Sequence, residues 1–198
     1  MIQIVPAIKP SKFGNGKASP CDLTPTWFPG VGWLGLYPAA KRSWDIMAAI
    51  CKAETGAVLT VTSAADAYRS YDRQESVFRD RYRDAYSPLT CTTTFKLWGG
   101  VKWWQRRGVA PCAVPGTSNH GLGIACDTAA LVNGKPSAIT ASPAWLWLVD
   151  NAVSFGWSWE GALPGQQGWE PWHLRHVHGD DVAQRVKDIE AWFAAVAA

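Results

Sequence analysis

Two histidines and two carboxylates lie in two short segments that are far apart in this sequence. Residues 115–127 carry His120 and Asp127, and residues 170–173 carry Glu170 and His173. Catalytic zinc takes three protein ligands and keeps one position open for water, and a carboxylate that does not bind the metal can serve as general base. Two imidazoles, one ligating carboxylate and one spare carboxylate match this requirement. The chain must therefore adopt a fold that brings the two segments together.

The spacing within the first segment indicates a break in the backbone. His120 and Asp127 are seven residues apart and would face opposite sides of one regular strand, because side chains alternate. Gly121 and Gly123 tolerate the backbone angles of a turn or bulge. We therefore expect a turn between His120 and Asp127.

The same alternation selects among the late histidines. If residues 172–177 form a strand, His173 and Arg175 share one face, and His176 lies on the other with Trp172 and Leu174. His173 is then the expected ligand, and His176 is a poor candidate for the same metal.

Hydrophobic periodicity and turn residues predict an α+β chain of helices packed on a sheet, and the hairpin signal favours antiparallel strands. Four helices are expected. The first runs from Ser43 to Gly56 and the second from Tyr71 to Tyr82. The third runs from Ser142-Pro143 to Gly156, and the last begins near Asp180 or Asp181. The expected strands are 58–62, 157–159, 172–177 and a hairpin over 95–104, which turns at Gly99-Gly100 with Lys96 and Lys102 on its solvent side.

Composition bounds the organisation of the chain. At 198 residues with 47% apolar, one core can bury most of the hydrophobic surface. Residues 1–30, rich in Pro, Gly, Lys and Ser, are interpreted as an extended N-terminal arm, and residues 31–198 as a single domain, which we expect to be a monomer.

Charge and cysteine content exclude several classes of protein. A net charge of +3 is far below the basic stripe of a nucleic-acid binder, so no nucleic-acid partner is expected. No stretch reaches the ~20 apolar residues of a membrane span, and no secretory signal is visible. Five scattered cysteines indicate free thiols made in a reducing cytoplasm. Cys126 is expected to fill the core.

Three motifs then occur in a fixed order along residues 57–180: Ala67-Tyr68-Arg69-Ser70-Tyr71-x-x-Gln74, Ser118-x-His120-x-x-Gly123-x-Ala125-x-Asp127, and Glu170-x-Trp172-His173. Jointly they resemble the zinc peptidases of the LAS superfamily, especially the D-alanyl-D-alanine carboxypeptidases of the vancomycin-resistance type and related phage endolysins. Each motif alone would be a weak signal.

The resemblance also implies an α+β fold with a mostly antiparallel sheet, and it implies a role for each site residue. His120, Asp127 and His173 would bind one zinc ion per chain, in a cleft along the sheet. Glu170 would be the catalytic base, and Arg69 would position the substrate and stabilise the oxyanion. Ser118 and Trp172 are expected to contact the substrate.

The function expected from this resemblance is hydrolysis of a peptide bond in the peptidoglycan stem or cross-link. A wall-cutting enzyme without a visible export signal fits a phage endolysin that reaches the wall during lysis. Two bonds compete, the L-alanyl-D-glutamate bond and a D-alanyl bond. The alternatives are a D-alanyl-D-alanine carboxypeptidase of cell-wall metabolism and a non-catalytic zinc-dependent binding module, although such a module has no need of Glu170.

Overall fold

Ten strands and four α-helices make up the part of the chain that the computed structural model describes, residues 2–166 and 168–197. The helices are α1 Pro38–Thr55, α2 Tyr71–Arg81, α3 Ala144–Asn151 and α4 Gln184–Val196. The strands are β1 Thr24–Phe28, β2 Gly32–Leu36, β3 Leu59–Val61, β4 Tyr82–Arg83, β5 Cys91–Trp98, β6 Val101–Arg106, β7 Ala125–Val132, β8 Lys135–Ala138, β9 Trp157–Trp159 and β10 His173–His176. Single-turn 3-10 helices cover Pro20–Asp22, Asn119–Leu122, Ile139–Ala141 and Ala152–Phe155.

A five-stranded antiparallel sheet organises the molecule. Its order is β3-β7-β10-β9, and β8 also pairs with β7. The main core packs against it and centres on Trp44 of α1, whose ring lies 5.6 Å from that of Trp157 on β9. Buried aromatic faces of this size supply much of the hydrophobic stabilisation. Together, the helices and the antiparallel sheet confirm the predicted α+β class.

A second, smaller core forms between α2 and the sheet β4-β6-β5. Phe78 of α2 stacks on Tyr82 at 4.6 Å and meets Trp103 of β6 at 5.6 Å. The amphipathic helix and the Gly99-Gly100 hairpin are both as predicted. The placement of Lys96 was wrong, because its Nζ donates to the carbonyl oxygen of Cys112 at 2.7 Å on the inner face.

Two helix starts differ from the prediction. Helix α1 begins at Pro38, a residue suited to a first turn, and Ser43 lies fully buried inside the helix. Helix α4 begins at Gln184, not at Asp180 or Asp181. The carboxylate of Asp180 accepts a hydrogen bond from Ser11 Oγ at 2.7 Å, so it does not cap the helix.

The N-terminal segment, predicted as an extended arm over residues 1–30, lies along the domain from residue 2 onward. Its last part, however, is strand β1, which pairs with β2 to form a hairpin. Val5 N donates to Ser158 Oγ at 2.8 Å, and Asn15 Nδ2 donates to the carbonyl oxygen of Ser118 at 2.6 Å. The segment thus contacts both β9 and the turn that carries His120.

All five cysteines are free thiols, and Cys126 is fully buried in the main core, as predicted. Across residues 2–166 and 168–197, none of the helices combines the length and apolar character needed to cross a membrane.

Candidate metal centre

Strands β7 and β10 bring two of the predicted ligands together. Their antiparallel register places Asp127 directly opposite His173. His120 comes from outside the sheet, on the 3-10 helix Asn119–Leu122, which ends at Gly123 in the left-handed conformation with φ 67°. The predicted break between His120 and Asp127 is thus present, and it turns the imidazole of His120 toward Asp127.

The ligand atoms of His120, Asp127 and His173 all lie within 4.8 Å of one another. The Oδ1 atom of Asp127 is 3.4 Å from Nε2 of His120 and 2.8 Å from Nδ1 of His173. His120 is only 3% exposed, so the site is set into the protein. This cluster could hold a metal ion, because two imidazole nitrogens and one carboxylate oxygen are a donor set that zinc takes in proteins.

The loop before α2 fixes the orientation of His120. Its Nδ1 donates to the carbonyl oxygen of Ala67 at 2.8 Å, which leaves Nε2 free to face Asp127. The same loop holds Asp127, whose backbone N donates to the carbonyl oxygen of Asp66 at 3.0 Å. Such supporting hydrogen bonds fix the tautomer and ring direction of a ligating histidine.

The electrostatics of the site favour a cation. Burial raises the pKa of Asp127, but hydrogen bonds from His120 and His173 outweigh it and hold that pKa well below its usual range. Burial lowers the pKa of His173, but hydrogen bonds to Asp127 and Glu160 raise it to about 9. The carboxylates thus stabilise positive charge here, and a metal cation would satisfy the same carboxylates.

Glu160 is a site residue that the sequence interpretation missed. It follows β9 directly, and its Oε2 lies 3.3 Å from Nε2 of His173. The hydrogen bond from His173 lowers the pKa of Glu160 to about 2. Strand alternation could have pointed to Glu160 only if the pairing of β9 with β10 had been known.

The predicted base and one predicted substrate contact lie in the turn that leads into β10. Glu170 is exposed, and its carbonyl oxygen accepts a hydrogen bond from His173 N at 3.0 Å. Trp172 is 41% exposed, so its indole is available to a ligand. Ser118 is buried and precedes the 3-10 helix that carries His120.

Arg69 is anchored to the same loop as His120. Its backbone N donates to the carbonyl oxygen of His120 at 3.0 Å. Its guanidinium donates to the carbonyl oxygen of Ala65 at 3.2 and 3.3 Å and lies 3.6 Å from Asp66 Oδ1. With Arg73, Arg69 lines an open cavity of about 420 Å³. The structure therefore brings the three predicted ligands together, while the side chain of Arg69 is bound to its own loop.

These elements and the convergence of His120, Asp127 and His173 are those of the LAS-type peptidase fold. Residues 35–179 match the family model described as VanY, D-alanyl-D-alanine carboxypeptidase. The match covers most of the chain and includes all three ligand positions. The chain therefore belongs to the VanY family of the LAS superfamily.

Relatives and solved structures agree with this assignment. The Bacillus subtilis (strain 168) protein YodJ, which is named as a carboxypeptidase, is 28% identical over 144 residues, or 68% of this chain. The chain spans only 46% of that relative. The structure of the LdcB LD-carboxypeptidase is 26% identical with a TM-score of 0.53, over 89% of this chain and 75% of that one.

Two more distant structures share the fold. VanYB in complex with D-Ala-D-Ala is 19% identical with a TM-score of 0.50, over 93% of this chain and 91% of that one. A VanY mutant from the VanB-type resistance cassette, in complex with Zn(II), is 18% identical with a TM-score of 0.50, over 92% and 90% of the two chains. Both cover nearly the whole of this chain.

Proposed function

We propose that this protein is a zinc-dependent carboxypeptidase that removes a C-terminal residue from the peptide of bacterial peptidoglycan. The observation that carries the proposal is the convergence of His120 Nε2, Asp127 Oδ1 and His173 Nδ1. Glu170 is exposed in the turn three residues before His173. The family model, YodJ and LdcB are all named as carboxypeptidases, which favours this reaction.

The three ligands would hold one zinc ion per chain. When bound, zinc supplies Lewis-acid chemistry and lowers the pKa of a water toward ~7. Asp127 contributes the negative charge of the ligand set, and the imidazoles of His120 and His173 supply its two nitrogen atoms. Their supporting hydrogen bonds keep the site assembled before substrate arrives.

Glu170 is the proposed proton carrier. Its exposed position, three residues before a ligand, leaves the carboxylate free to take a proton from the attacking water. It then delivers this proton to the leaving amine as the peptide bond breaks. A carboxylate that served only as a metal ligand could not perform both transfers.

Arg69 is the proposed positioning and oxyanion-stabilising residue. Ser118 and Trp172 are proposed to contact the substrate. A guanidinium placed at the developing negative oxygen typically contributes about 10²–10³-fold to the rate, as oxyanion donors do.

The experiment that tests the function is mass spectrometry of products from purified peptidoglycan and from a synthetic stem pentapeptide that ends in D-Ala-D-Ala. The wild type is compared with Glu170→Gln at matched zinc content, and Glu190→Gln serves as a control carboxylate distant in sequence. Free D-alanine released by the wild type and the control, but not by Glu170→Gln, is the expected result.

Other products would point to other functions. New amino termini at D-glutamate, with no free amino acid, would instead identify an L-alanyl-D-glutamate endopeptidase and favour the phage endolysin role. Zinc-loaded wild type that binds the wall but releases nothing would identify a binding module. Zinc content per chain and light scattering test the expected single ion and the expected monomer.

A further inference from the structure

We infer that Glu160 is a positioning residue for the metal site, which orients His173 by accepting the hydrogen bond of its second ring nitrogen. The inference rests on the proposed zinc-dependent function, since it assigns a role within the same site. It adds a fourth side chain, contributed by the residue that follows β9, to the three ligands that the motifs define.

The strand register carries the first part of the argument. Leu174 of β10 pairs with Trp159 of β9, so the next residue outward, Glu160, lies beside His173. Asp127 of β7 pairs with His173 on its other side. Neighbouring side chains on one face of a sheet stand close enough to interact. Asp127, His173 and Glu160 therefore form a row across three adjacent strands.

The imidazole of His173 is held between the two carboxylates of this row. Its Nδ1 lies 2.8 Å from Asp127 Oδ1, and its Nε2 lies 3.3 Å from Glu160 Oε2. Because Nδ1 faces the ligand Asp127, we assign Nδ1 as the ligand atom and Nε2 as the nitrogen that carries the proton donated to Glu160. A ligating histidine commonly donates its other N–H to a carboxylate in this manner.

Glu160 is itself fixed by groups on both sides. Asn119, the neighbour of His120, donates from Nδ2 to Glu160 Oε2. Arg175 Nε lies 3.8 Å from the same oxygen. The Arg175 guanidinium is anchored in turn, because Nη2 donates to the carbonyl oxygen of Val5 at 3.1 Å. Glu160 thus joins the segment that carries His120 to the strand that carries His173.

This arrangement separates Glu160 from Glu170. The ring of His173 stands between Glu160 and Asp127, so Glu160 acts through that ring and not on the reacting atoms. Its removal is expected to affect metal binding first, whereas removal of Glu170 is expected to affect hydrolysis alone.

The test measures zinc affinity by competition with a chromophoric chelator for the wild type, Glu160→Gln, Glu160→Ala, Glu170→Gln and Glu190→Ala. Glu160→Ala is expected to weaken zinc binding by about 10–100-fold. Glu160→Gln, which keeps an acceptor oxygen, is expected to recover part of that loss. The Glu170→Gln and Glu190→Ala variants should bind zinc as the wild type does. The visible spectrum of the Co²⁺-loaded protein should shift for Glu160→Ala and not for Glu190→Ala.

Wild-type zinc affinity in Glu160→Ala, with an unchanged Co²⁺ spectrum, would overturn the inference. An equal loss in Glu160→Ala and Glu190→Ala would overturn it too, since the effect would then be general destabilisation. Failure of the proposed function gives a different pattern, in which zinc affinities respond as expected but the wild type releases no product from peptidoglycan.

Discussion

A substitution at Gly123 tests whether the turn between two ligands is what assembles the metal site. Gly123 has φ 67°, and a Cβ atom there would lie 2.9 Å from Leu23 Cδ2 and 3.0 Å from the backbone N of Tyr37. The left-handed conformation costs an L-residue roughly 1–2 kcal/mol. Forcing an extra carbon into packed surroundings typically costs about 1–3 kcal/mol. Gly123→Ala should therefore lower the free energy of unfolding by about 2–5 kcal/mol.

Gly134 provides a matched control, because it has φ 76° and a Cβ atom added there would meet no other atom within 4 Å. Gly134→Ala should cost only the conformational part, roughly 1–2 kcal/mol. Urea unfolding of the zinc-free proteins measures the stability difference, and chelator competition measures zinc affinity. We expect Gly123→Ala to lose both stability and zinc affinity, and Gly134→Ala to lose a smaller amount of stability alone. Equal stability losses with equal zinc affinities would refute the steric argument.

Three further predictions concern the metal, Arg69 and a buried histidine. Chelation of zinc should abolish hydrolysis while circular dichroism still shows a folded chain. Zinc added at 100 times its dissociation constant should raise the free energy of unfolding of the zinc-free protein by about 2.7 kcal/mol. Activity that survives complete chelation would contradict the metal assignment. Arg69→Ala should lower kcat/KM by about 10²–10³-fold with unchanged zinc affinity. As a control, Arg42→Ala, which removes an exposed ion pair with Glu190, should leave both kcat/KM and zinc affinity unchanged. Loss of zinc binding in Arg69→Ala would assign Arg69 a structural role. Burial, together with the charge of His178, lowers the pKa of His176 to about 3. The unfolded chain therefore binds an extra proton below pH ~6.5, and stability falls as the pH drops from about 6.5 toward about 3. His176→Leu should flatten that slope in urea titrations, and an unchanged slope would show that other groups cause it.

Local patterns predicted much of the fold. Gly56 ends α1 in the left-handed conformation, and Gly99-Gly100 closes the β5–β6 hairpin, because such turns depend on a few neighbouring residues. The face of α2 that carries Gln74 and Phe78 is buried as its periodicity indicated.

The positions of Ser43 and Lys96 could not be predicted from the sequence, because they depend on contacts with residues far away along the chain. Ser43 looked like a helix cap, but its Oγ lies 3.1 Å from His176 Nε2 in the core. Lys96 looked exposed, but the chain near Cys112 supplies an acceptor on its side of the hairpin. Polar residues of this kind are satisfied by partners that only the tertiary fold supplies.

The candidate site shows the same division. The convergence of His120, Asp127 and His173 could be predicted because their residue types and spacing match the chemistry of zinc, and the structure brings them together. Their role as zinc ligands stays a prediction. Glu160 lies outside every motif, and its role depends on the pairing of β9 with β10. The placement of Arg69 near a substrate stays a prediction, because its guanidinium contacts Ala65 and Asp66.

The contacts that hold the ligands also bear on the order of folding events. His173 meets Asp127 across 46 residues, Asn15 meets Ser118 across 103, and Val5 meets Ser158 across 153. Closing such long loops is slow, and their contacts form only when distant segments have already docked. We therefore expect the metal to load after the chain has folded, so that zinc slows unfolding more than it speeds folding.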